Sequence, residues 1–128
     1  MAVKFHVIQR PNPQDRTLPQ KFYAAFKSNG EMSLKQLSER IAQISTVSRT
    51  DTMAVLTALV EVVPEELANG QTVRLGDLGS FSINISSEGS DTAEQVSASN
   101  IRASKVVFRA GRELKDKLET ASFQKVSE

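Results

Sequence analysis

The stretch from Arg49 to Leu67 constrains this chain more than any other. Met53, Leu56, Val60, Val63 and Leu67 recur at steps of three and four, the spacing of one helical face. Val55, Leu59 and Val62 make a second stripe beside the first. So broad an apolar surface exceeds what one short partner helix can cover, and burying it needs a sheet, a second chain, or both. The expected core of a dimer is Met53, Leu56, Leu59, Val60 and Val63, joined by Phe81. Pro64 lacks the N–H that would bond back four residues, so a kink is expected near Glu61, and Asn69-Gly70 supplies left-handed residues for the stop.

The elements around this helix are legible from period and punctuation. Ser33 begins an earlier helix, with Gln36 placed to complete a capping box and Leu34, Leu37, Ile41 and Ile44 as its apolar stripe. Ser45-Thr46-Val47-Ser48 is short enough to make the two helices a hairpin. Before them, residues 2–10 alternate as a strand, Pro11 to Pro19 holds three of the four prolines and must be a loop, and Lys21 to Lys27 is a second strand. After them come Thr72 to Leu75 and Ser80 to Ser86, a β-hairpin about Gly76-Asp77-Leu78-Gly79. Residues 86–100 are a solvated loop or arm, Lys105 to Arg109 a strand, and Gly111 precedes a closing helix through Glu119. Phe123 to Val126 can add a terminal strand. The order is α+β, and 128 residues without an apparent repeat or boundary read as one domain: a strand-rich extension over 1–32, a core over 33–118 and a tail over 119–128.

Composition removes several function classes. With no cysteine and His6 as the single histidine, neither a thiolate zinc site nor a histidine metal cluster is possible, and no metal or other cofactor is expected. Only Ser-Lys or paired-carboxylate chemistry would remain, and Glu61, Glu65 and Glu66 read as a solvated helix face, so the chain is not expected to be an enzyme or to take a small-molecule substrate. Gly76-Asp77-Leu78-Gly79 leads into a strand rather than a helix and lacks a following Gly-Lys-Ser/Thr, so it reads as a turn and not a phosphate loop. No apolar run approaches the ~20 residues that cross a bilayer, and Met1 to His6 does not open a signal peptide. A cytoplasmic protein without a membrane partner is expected.

Charge is segregated along the chain. The net charge is only +1 and the isoelectric point about 8.0, below the ~9 common among duplex-DNA binders. Yet residues 1–30 carry a net +4 and residues 102–117 another +4, whereas residues 82–101 carry −3. The cluster Lys105, Arg109, Arg112 and Lys115, flanked by Arg74 and Arg102, fits either a solvated face or phosphate contact.

Order and spacing point to a family. A helical hairpin with a long apolar second helix, then Arg74-Leu75-Gly76-Asp77-Leu78-Gly79-Ser80-Phe81, an arm, and Phe108-Arg109-Ala110-Gly111-Arg112-Glu113-Leu114-Lys115 resembles the HU/IHF family of bacterial DNA-bending proteins. The resemblance covers residues 33–118, and the whole chain is more similar still to the HU-related proteins of Bacteroidetes. It implies an intertwined homodimer that binds duplex DNA nonspecifically in the nucleoid through Lys105, Arg109, Arg112, Lys115, Arg74 and Arg102, helped by the basic N-terminal strand.

Three departures bear on that implication. Leu78 stands where the family has an aromatic residue, and Ala110 where it has proline. Family arms are rich in bases and carry a proline wedge, whereas Ser86 to Glu94 here holds neither and carries Glu88, Asp91 and Glu94. The alternative is an HU-fold interaction module whose DNA binding is lost or weakened.

Overall fold

The computed structural model describes residues 2–127 and divides into two compact units, residues 34–116 and residues 1–33 with 117–128. In the first unit, α1 (Leu34–Gln43) and α2 (Arg49–Ala68) form the helical hairpin. The start of α2 is set by Ser48, whose Oγ accepts from the Asp51 N–H at 3.1 Å, with the Asp51 carboxylate in the first turn where the helix dipole favours it. The helix continues through Pro64 without interruption. At its end only Gly70 takes the left-handed conformation (φ +83°), while Asn69 does not (φ −84°); the Asn69 N–H donates to the carbonyls of Glu65 and Glu66, and the Gly70 N–H to that of Leu67.

A three-stranded antiparallel sheet completes this unit in the order β3 (Val73–Arg74), β4 (Gly79–Ser87), β5 (Ile101–Ala110). The first strand is shorter than Thr72–Leu75, and the last begins four residues before Lys105. Ile101 to Ser104 lacks a strand pattern of its own and is held by the ladder to Ile85–Ser87. Between β4 and β5, residues 88–100 form an exposed loop with short 3₁₀ turns at Ala93–Gln95 and Ala98–Asn100. It is cinched by Asn100, whose carbonyl accepts from the Glu88 N–H at 2.8 Å and whose Nδ2 donates to Ser90 Oγ at 2.9 Å.

The other unit contains a sheet in the order β2 (Lys21–Lys27), β1 (Ala2–Arg10), β6 (Ser122–Lys125). The first pair is antiparallel and the second parallel, so the tail strand lies along the first strand of the chain. Asp15 orders the proline loop by accepting from the Thr17 hydroxyl (2.6 Å) and N–H (2.9 Å), bonds that favour its carboxylate and lower its pKa. Because β1 is central, deleting residues 1–20 should strip both neighbours of their ladder and make residues 121–127 susceptible to limited proteolysis. An intact tail and an unchanged melting curve would contradict that placement.

The chain buries little by itself. Among the described residues Leu67 is the one buried apolar side chain, alongside Ser38 and Thr52. Met53, Leu56, Val63 and Phe81 are half-buried, while Leu59 and Val60 are 39% and 59% exposed. The accessible surface is 10799 Å² for 14.0 kDa. A compact monomer of that mass exposes about 6,700 Å², and two independent globules sharing it about 8,000 Å².

Candidate nucleic-acid interface

Strand register sorts the β3–β4–β5 sheet into two chemically distinct faces. Arg74 pairs with Ser80 and Ser80 with Arg109, so the three occupy one transverse row and share a face, with the two arginine backbones about 10 Å apart. Asn84 opposite Lys105 lies on the same face, as do Ser82 and Ser86, whose partners there are Val107 and Ala103. The opposite face carries Val73, Phe81, Ile83, Ile85, Val106 and Phe108. Phe81 and Phe108 hold its closed end together, their ring centroids 4.9 Å apart. Four polar residues that charge counting passes over thus sit among the cations. Their signal is the alternation of Ser80, Ser82, Asn84 and Ser86 with Phe81, Ile83 and Ile85.

The remaining cations enter through α3 (Arg112–Glu119), which starts two residues after β5 ends. Arg112 and Lys115 are both exposed and lie at i, i+3 on one helical face. The start of α3 is seated on the Gly76–Gly79 turn: Gly111 N–H donates to the Leu78 carbonyl at 2.9 Å and Glu113 N–H to the Asp77 carbonyl at 3.2 Å. The same turn closes the hairpin through Leu75 N–H to the Gly79 carbonyl at 2.8 Å, with Gly76 at φ +56°. The glycine-rich segment is therefore a corner that braces a helix. A Cβ on Gly111 would collide with the Asp77 carbonyl, and one on Gly79 would lie 2.7 Å from the Arg109 carbonyl oxygen. Gly111→Ala should therefore lower stability by about 1–3 kcal/mol, the usual cost of overpacking, measurable by urea denaturation.

Two of the six expected cations have intramolecular partners. Arg102 Nε meets Glu88 Oε1 at 3.3 Å, and Arg112 Nε meets Asp116 Oδ2 at 3.8 Å, both pairs well exposed and therefore weak. Arg74, Lys105, Arg109 and Lys115 form no ion pair among the described residues. No group of three or more histidine, cysteine, aspartate or glutamate side chains capable of holding a metal occurs among those residues, and no helix there is long and apolar enough to cross a membrane.

Residues 1–125 match the HU-HIG family model, described as an HU domain fused to wHTH, Ig, or glycine-rich motif. The chain belongs to this family. The HU-HIG chain is similar in structure to a candidate bacterial DNA-binding protein from Bacteroides vulgatus, with a TM-score of 0.67 and 16% identity over 99% of this chain and 49% of that one. It thus spans about half the length of that protein. Anabaena HU crystallised with DNA is a second neighbour, with a TM-score of 0.49 and 21% identity over 70% of this chain and 98% of that one. No curated protein matches the sequence. The HU-HIG chain has an α+β, HU-like fold, as the two sequence motifs imply.

Proposed function

We propose that this chain is a nonspecific duplex-DNA-binding module, acting as a homodimer to organise or bend DNA in the nucleoid, and that it is not an enzyme. The observation that carries the reading is one face of the β3–β4–β5 sheet, where Arg74, Arg109 and Lys105 stand among serine and asparagine side chains, with Val107 and Ala103 the apolar residues between them. Such groups suit a phosphate backbone: cations gain from counterion release, and short polar side chains donate to phosphate oxygens. None of this supplies base readout, so sequence preference should be weak. The Bacteroides neighbour is described as a candidate DNA-binding protein and the Anabaena neighbour was crystallised with DNA, which agrees with this reading.

The homodimer is supported by surface that the chain leaves uncovered. Val55, Leu59, Val60 and Val62 on α2 and Ile83, Ile85, Val106 and Phe108 on the apolar sheet face are all at least 39% exposed. A second copy is the simplest object with matching apolar faces.

The test is titration of unrelated duplexes of equal length at about 50 and 200 mM salt. Similar affinities for all of them, with a steep common salt slope, are expected. One specific observation favours the alternative, an interaction module with weakened DNA binding: the loop that replaces a basic arm presents Glu88, Asp91 and Glu94, and Arg102 is paired with Glu88. Absence of binding at the lower salt would favour that alternative.

A further inference from the structure

The sheet β2–β1–β6 contains Lys4, Arg10, Lys21, Lys27 and Lys125 and not one acidic residue. Its register does not disperse these charges. Lys4 lies directly opposite Lys27 and Arg10 directly opposite Lys21, so two like-charge pairs face each other across the ladder. Alternation puts all four on one face, together with His6, Ile8, Tyr23 and Ala25. Lys125 pairs with Phe5 and lies on the other face. Like charges directly opposed on a sheet are destabilising, and none of the four forms an ion pair among the described residues. Lys4 Nζ instead donates to Asn29 Oδ1 at 3.0 Å, and Arg10, Lys21 and Lys27 are exposed.

From this geometry we infer that the N-terminal sheet carries a second phosphate-binding surface for duplex DNA, separate from the β5–α3 cluster. The inference rests on the DNA-binding reading above and adds its own set of contacts. The two charge pairs stand six residues apart along β1, roughly 20 Å in an extended strand. That spacing is enough to reach phosphates on both edges of a major groove about 12 Å wide. Bound phosphates would relieve the repulsion that the register imposes. An anionic bilayer has weaker support. The three most exposed aromatic side chains of the sheet, Phe22, Phe26 and Phe123, lie on the opposite face, so a membrane held by the cations would receive only Tyr23 and Ile8 beside them.

The experiment compares the full chain with Lys4→Gln/Arg10→Gln/Lys21→Gln/Lys27→Gln in duplex titrations across salt. Each lost phosphate contact flattens the log–log salt slope by about 0.9, so the four substitutions should flatten it by two to four units and weaken binding near 50 mM salt by about 100-fold. The melting temperature should hold or rise, because repulsion is removed. Should the quadruple variant not fold, Lys21→Gln/Lys27→Gln on the edge strand should still flatten the slope by one to two units. An unchanged slope, with binding lost only on replacing Arg109, Arg112 and Lys115, would overturn this inference and leave the β5–α3 interface standing. Binding abolished by the quadruple variant but untouched by the other would do the reverse. Capture by vesicles containing anionic lipid, with no affinity for duplex, would overturn both.

Discussion

Leu59→Asp is expected to convert the protein from a species of twice the 14.0 kDa chain mass into an unfolded or dissociated monomer. Sedimentation equilibrium at micromolar concentration and far-UV circular dichroism will read the change. Leu59 is 39% exposed in the single chain and sits in the stripe with Val55 and Val62, which are 66% and 49% exposed. A partner covering this stripe would bury the new carboxylate without a cation, at a cost of several kcal/mol against a total stability of about 5–15 kcal/mol. The surface excess gives the size of the effect. The chain exposes 10799 Å², some 2,800 Å² beyond even two independent globules of the same total mass. Recovering that area per chain corresponds to the large, apolar interfaces of obligate dimers. A wild-type chain that stays folded and monomeric across micromolar concentrations would sink the idea.

Replacing Arg109, Arg112 and Lys115 together with Gln should nearly abolish duplex binding while the melting temperature stays within a few degrees. All three side chains are exposed, and the single pair among them, Arg112–Asp116, is too solvated to matter for stability. The loop should act in the opposite direction. Changing Glu88, Asp91 and Glu94 to Lys turns three negative charges into positive ones and frees Arg102 from its 3.3 Å pair with Glu88. Affinity near 50 mM salt should then rise steeply. Gain of binding in this variant, starting from a wild type with none, would assign the native ligand to another class and favour the interaction-module reading.

Much of the fold was legible because its signals are local. The helical hairpin follows from the four residues Ser45 to Ser48 between two apolar patterns, and the 20-residue helix from stripes within it. The β3–β4 corner follows from two glycines around Asp77-Leu78. What stayed hidden depends on pairing between distant residues. The early start of β5 is imposed by its partner strand, and nothing within Ile101–Ser104 announces it. The seat of Gly111 on the Asp77 carbonyl joins positions that no short window contains. The interface behaves likewise. Composition finds the cations, but only the register places Arg74 and Arg109 on either side of Ser80, or Lys4 opposite Lys27.

The parallel pairing of β1 with β6 also has a consequence in time. Ala2 lies beside Ser122, so the N-terminal sheet cannot close until residue 122 has been made, whereas the helical hairpin and its sheet lie within residues 34–116. At a synthesis rate of about 5–20 residues per second, the β1–β2 hairpin waits roughly 5–20 s for its third strand. During that interval it is a two-stranded ribbon with one edge of β1 unpaired, too small to be stable alone. Within this chain the strand made first is therefore among the last to be fully paired, and its free edge is most open to aggregation or to chaperone capture before residue 122 appears.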